Sequence, residues 1–209
     1  MKMRRLLKAG MIAAMLAAGG MAQAGNDGAA QPPVQVKPTA AQPDEGLRGR
    51  TFNAQEIVDA GHRFFGTTTR GLARAVESVF RAHGRPTGYV LGEEASGAFV
   101  AGLRYGEGYL YMKDGTRRKI FWQGPTIGFD AGGEGAKVLM LVYNMDTPRA
   151  IYGRWPGING SAYLVAGLGV SAYGDENIVI VPIRSGVGAR LGANVGYLKI
   201  TARPTWNPF

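Results

Sequence analysis

Hydrophobic positions in this chain follow a helical period over one short stretch and a strand period over most of the remainder. Asn53 is placed to cap a helix, with Glu56 three residues on as its capping-box partner. Ile57, Val58, Gly61, Phe64 and Phe65 then share one helical face. Gly66 and three threonines interrupt the pattern. A second helix is predicted over 70–83, with Leu72, Val76, Val79 and Phe80 as its apolar stripe. Gly84 and Pro86 supply its stop.

From Thr87 onward the apolar residues come in short, β-prone runs separated by glycine-containing turns. Strands are expected at 88–93, 97–105, 108–113, 117–122, 126–130, 137–143, 161–173, 178–184 and 187–201. Asp114-Gly115 carries a hairpin signal. The stretch 121–144, reading FWQGPTIGFDAGGEGAKVLMLVYN, predicts a corner at Trp122-Gln-Gly-Pro125 and a glycine-rich turn at 130–135. The nearly unbroken apolar run 137–143 then predicts a strand covered on both faces. In 161–173 the even-numbered residues are apolar, which predicts one long alternating strand, and in 187–201 glycines collect on one face. One-sided glycine relieves crowding where a sheet curls. The expected fold is therefore mainly β: a small closed barrel of about ten antiparallel strands with two N-terminal helices, a two-sheet sandwich being the other arrangement.

Residues 1–51 follow neither period. A basic start (Lys2, Arg4, Arg5, Lys8), an apolar stretch and an Ala22-Gln23-Ala24 site predict a secretory signal peptide over 1–24, cleaved after Ala24. Residues 25–51 are rich in Ala, Gln and Pro and predict a disordered or extended linker. That leaves 52–209 as one domain, expected in a periplasm. The formal charge is +9, of which four units sit in the leader, so the remainder is a mildly basic +5. Such a balance suits acidic partners without requiring nucleic acid. Glycine is 33 of 209 residues, which fits a chain with many turns and close backbone approaches. Cysteine is absent, which excludes disulfides, thiolate catalysis and cysteine metal sites.

Candidate chemistry is sparse. Arg70, Arg74 and Arg81 share the polar side of the second helix, an arrangement suited to an anionic membrane surface, although a solvated face is the commoner use of such a pattern. Arg104, Arg184 and Arg190 sit in or at the end of otherwise apolar strands. Any that points inward needs a carboxylate, with Glu93, Glu94, Asp130 and Glu134 available, so Arg104, Arg184 and Glu93 are candidate lumen charges. Trp122 is either a contact residue or a core anchor. His62 and His83 have no metal-ligand spacing, no nucleophile elbow or phosphate loop is present, and the adjacent pairs Glu93-Glu94 and Asp175-Glu176 diverge on a strand. No cofactor and no enzymatic reaction are expected. The terminal Phe209 resembles that of outer-membrane barrels, but Pro204 and Pro208 spoil a terminal strand.

The runs FWQGPTIGFDAGGEGAKVLMLVYN, GINGSAYLVAGLGVSAYG and VIVPIRSGVGARLGANVGYLKI resemble the EipA-type envelope proteins of alphaproteobacteria over roughly residues 54–209. The resemblance implies a small, tapered periplasmic barrel that supports envelope integrity, with no established reaction. A looser similarity, carried by Trp122, Pro125, the segment 128–135 and Gly188-Ala-Arg190-Leu-Gly192, is to the SYLF lipid-binding domain. It implies a carrier of lipid or a small apolar ligand, contacted by Arg70, Arg74, Arg81, Trp122 and Arg190. The partners expected are envelope lipid, glycan or envelope protein, with peripheral membrane contact and no nucleic acid.

Overall fold

The computed structural model describes residues 49–66, 71–98, 101–127, 135–158, 162–185 and 196–207. Among the described residues, helices α1 (Ala54–Phe65) and α2 (Leu72–His83) precede ten strands. These are β1 (Gly88–Ala98), β2 (Ala101–Met112), β3 (Arg117–Ile127), β4 (Ala136–Tyr143), β5 (Gly153–Pro156), β6 (Tyr163–Val165), β7 (Leu168–Val170), β8 (Tyr173–Gly174), β9 (Val179–Arg184) and β10 (Tyr197–Thr201). All pairings are antiparallel, in the order β5-β10-β3-β2-β1-β4-β9-β7-β6, with β8 also on β9. The sheet curls into a half-barrel, and its β5 end comes back to β8. Gly157, just past β5, bridges Tyr173 of β8, and the Ile158 N–H donates to the Ala172 carbonyl at 3.0 Å. Closure of this kind satisfies backbone groups that an open edge would leave unpaired.

The capping box at α1 forms as its spacing predicts. The Glu56 N–H donates to Asn53 Oδ1 at 2.9 Å and the Asn53 N–H donates to Glu56 Oε2 at 2.8 Å. Glu56 also pairs with Lys113 in the β2–β3 turn, so the cap ties the helix to the barrel. The two helices meet at Gly61, where an added Cβ would lie 2.5 Å from Leu72 Cδ2. Ile57, Leu72, Ala75, Val76 and Val79 pack on Leu139, Leu141, Val181 and Ile183, the outward side chains of β4 and β9. Val138, Met140 and Val142 of β4 point the other way, into the barrel. β4 is thus buried on both faces, as its unbroken apolar run requires.

Three expectations need correction. Trp122-Gln-Gly-Pro125 is not a corner: it lies within β3, in register with β2 from Ile127 to Arg117. Pro125 is tolerated because the β10 ladder on the other side of β3 reaches only Gln123, so no partner needs its missing N–H. The separate strands expected at 97–105 and 108–113 are one strand, β2, whose glycines pack against a neighbouring strand and a tryptophan instead of forming a turn. The long strand expected at 161–173 is a tight hairpin, β6–β7, followed by β8. Ala166 (φ 49°) and Gly167 (φ 85°) both adopt positive φ at its tip, as a two-residue hairpin turn demands. The Lys113–Thr116 hairpin forms as expected, with Gly115 at φ 87°. The turn expected at 130–135 lies outside the described residues except for Gly135, and of the strand expected at 187–201 only 196–201 is described.

Candidate functional site

The barrel interior is apolar over most of its length. Leu110, Ile120, Trp122, Met140, Ile180 and Ile200 are among the side chains that fill it. Glycines on β1 and β2 form a floor for the Trp122 ring: a Cβ on Gly106 would lie 2.2 Å from Trp122 Cε2. Gly92 and Gly108, opposite each other in the ladder, let the two backbones approach.

Polar groups appear where β1 and β9 end and β2 begins. Glu94 from β1 is buried there. Its Oε2 accepts from the Trp122 indole N–H at 2.8 Å, and its Oε1 accepts from Arg184 Nε at 2.9 Å. Arg184 Nη1 donates to Ser171 Oγ at 2.8 Å. Arg104, itself buried, donates from Nη2 to the Tyr173 hydroxyl at 2.7 Å and to the Pro125 carbonyl at 3.0 Å. Its guanidinium also sits 5.3 Å from the Tyr173 ring centroid. Burial alone would raise the Glu94 carboxyl. The charges of Arg184 and then Arg104, with the hydrogen bonds from Trp122 and Arg184, outweigh it and hold the group below its ordinary value. Burial likewise disfavours the Arg184 charge, and Glu94 more than restores it. A carboxylate held ionised in this way stays charged near neutral pH and does not serve as a proton-transfer group there. The cluster draws on β1, β2, β3, β8 and β9, with Arg184 bonded to the carboxylate and Arg104 acting on it through its charge.

The residues singled out in the sequence are distributed unevenly around this cluster. Arg104 and Arg184 are brought together, but Glu93 is exposed on the outside of the sheet, and its neighbour Glu94 is the interior acid. Successive strand residues face opposite sides, so a shift of one position exchanges the two roles. Trp122 is fully buried, so it is a core anchor and makes no surface contact. Arg74 and Arg81 are exposed on α2, and Arg81 pairs with Glu77 at 3.4 Å. Arg70 and Arg190 lie outside the described residues. Tyr173 and Ser171 were not anticipated, because their roles depend on non-local closure. Among the described residues no cluster of His, Cys, Asp or Glu is arranged to hold a metal ion. No helix among them is long and apolar enough to cross a membrane.

The profile of the family described as envelope integrity protein A matches residues 50–209. The chain belongs to this family. Its fold is similar to the crystal structure of a β-barrel-like, uncharacterized protein from Brucella abortus, with 58% sequence identity and a TM-score of 0.69. The match covers 77% of this chain and 99% of the Brucella protein. No curated protein matches the chain. The family's name assigns its members to envelope integrity and names no reaction.

Proposed function

We propose that the protein is exported by the leader 1–24 to the periplasm. There it supports the envelope by non-catalytic contact with an envelope component through its outer surface. The observation that supports contact over carriage is the packing of the interior among the described residues, where Trp122, Leu110, Met140 and Ile180 are each fully buried. The Arg104–Glu94–Arg184 cluster serves on this reading as an internal brace: Glu94 ties β1 to β9 through Arg184 and to β3 through Trp122, and Arg104 ties β2 to Tyr173 and the Pro125 carbonyl. A SYLF-like carrier would use the exposed Arg74 and Arg81 of α2 for membrane approach, but it would also need a void where those side chains pack.

The test is genetic. A strain lacking the gene is expected to be more sensitive to detergent and to envelope-directed antibiotics than its parent, with restoration by a plasmid copy. Unchanged resistance to both would contradict the proposal.

A further inference from the structure

The outer face of β1, β2 and β3 carries a groove of about 340 Å³, bounded on one side by the segment 204–206. That segment is tethered: the Tyr105 hydroxyl donates to the Trp206 carbonyl at 3.0 Å, and Lys199 Nζ donates to the Asn207 carbonyl at 3.0 Å. The Trp206 indole nevertheless stays 86% exposed, with its ring 5.6 Å from that of Tyr105. Phe121 adds a third aromatic to the walls.

The charges in the groove are unbalanced. Glu93 and Glu107 are direct register partners across β1 and β2, and both are exposed; on the other side Glu93 faces Lys137 of β4, whose ammonium is turned to the Phe64 carbonyl at 2.9 Å. Like charges placed opposite each other destabilise a sheet unless they are neutralised. Lys119 neutralises Glu107 at 3.3 Å while its ammonium lies 5.2 Å from the Phe121 ring centroid. Glu93 has no ion-pair partner among the described residues. Elsewhere on the barrel, cations already lie over aromatic rings: Arg117 over Tyr109 at 3.7 Å and Arg154 over Tyr197 at 4.6 Å. At Tyr105 and Trp206 no such cation is present among the described residues. Gln123 also lines the groove, and its buried carboxamide nitrogen lacks an acceptor among the described residues.

We infer that this groove binds a lysine or arginine side chain presented by an extended segment of a partner protein, its charge on Glu93 and its stem against the exposed face of Trp206. A cation is selected because Glu93 is an exposed carboxylate without an ion-pair partner among the described residues and lies beside the aromatic wall, a charge that a neutral sugar stacked on Trp206 leaves unpaired. Lys119 between Phe121 and Glu107 makes the same contact within the chain. The inference rests on reading the barrel as a contact protein and specifies the chemistry of the contact.

The experiment uses the whole exported chain and the capped peptide Gly-Leu-Lys-Leu-Gly. Its controls carry norleucine or glutamate in place of lysine, and chitohexaose is a further probe. The readout is tryptophan fluorescence, assigned to Trp206 by its loss in Trp206→Phe, since Trp122 also lines the groove while Trp155 is buried elsewhere. The lysine peptide is expected to shift the emission to the blue with saturation, and to bind about tenfold more tightly than the norleucine peptide, the ratio expected for one partly desolvated charge. The glutamate peptide and chitohexaose are expected to be silent. Glu93→Gln should remove the preference for lysine, and added salt should weaken binding. Equal binding of the lysine and norleucine peptides, saturation by chitohexaose alone, or silence with every probe would overturn the inference. The peptide comparisons use the unaltered protein, so they hold even if Glu93→Gln fails to fold. A negative result here with an intact deletion phenotype would reject the groove chemistry and leave the envelope role standing.

Discussion

Glu94 is the residue on which the interior polar network depends. It accepts from Trp122 and Arg184, and its charge is felt by Arg104 as well. Replacing one member of a buried ion pair leaves the other without compensation, so Glu94→Gln should destabilise the fold at pH 7 by about 3–5 kcal/mol, measured by urea unfolding. The pH dependence has a definite sign. The folded-state carboxyl titrates below the unfolded one. Its stabilisation is therefore complete above the unfolded value of about 4.3 and is lost as pH falls through the folded value. The acid limb of stability should be steeper in the native protein than in Glu94→Gln, and equal slopes would contradict this assignment. The sequence supplied both arginines but not the choice between Glu93 and Glu94. Adjacent strand positions face opposite sides, and only the register on β2 and β4 decides which one is interior.

At the scale of elements, β4 and the helices were legible because their patterns are local. Asn53 and Glu56 mark the start of α1, and the run 137–143 announces a doubly covered strand. The hairpin β6–β7 was not legible. Its Ala166-Gly167 tip lacks the Asn or Asp that usually marks such turns, and the alternation of 161–173 runs through it unbroken. The packing of β1 on β2 depends on glycines whose role could be read only in part. Gly106 meets nothing nearer than the Trp122 side chain, whereas Gly92 also faces the Glu107 carbonyl, 2.2 Å from an added Cβ. Gly106→Ala should therefore cost about 1–3 kcal/mol or more by overpacking, and Trp122→Leu in the same chain should recover part of that loss. Gly92→Ala should show no comparable recovery, because backbone is in the way. Denaturant unfolding of the two double variants checks the contrast, and recovery in both would contradict it.

For the whole molecule, barrel closure was expected from one-sided glycine and from the penalty on open edges. The contacts that bring the β5 end back to β8, Gly157 to Tyr173 and Ile158 to Ala172, join residues whose pairing leaves no local signal. The same limit applied to the interior. The sequence left open whether the lumen was filled, apolar or charged. Among the described residues it is packed with apolar side chains and carries a charged cluster where β1 and β9 end. The outer groove was invisible for a related reason: Glu93 and Glu107 become neighbours only through the ladder, and Trp206 reaches them from the C-terminal segment.

The central claim is that the protein acts by contact and carries no cargo. Native mass spectrometry of the protein released gently from the periplasm of its own cells tests it most directly. The account predicts one species at the mass of a chain beginning at Gly25, with no lipid or other apolar adduct. A stoichiometric adduct that survives gentle release and is lost only on unfolding would contradict it.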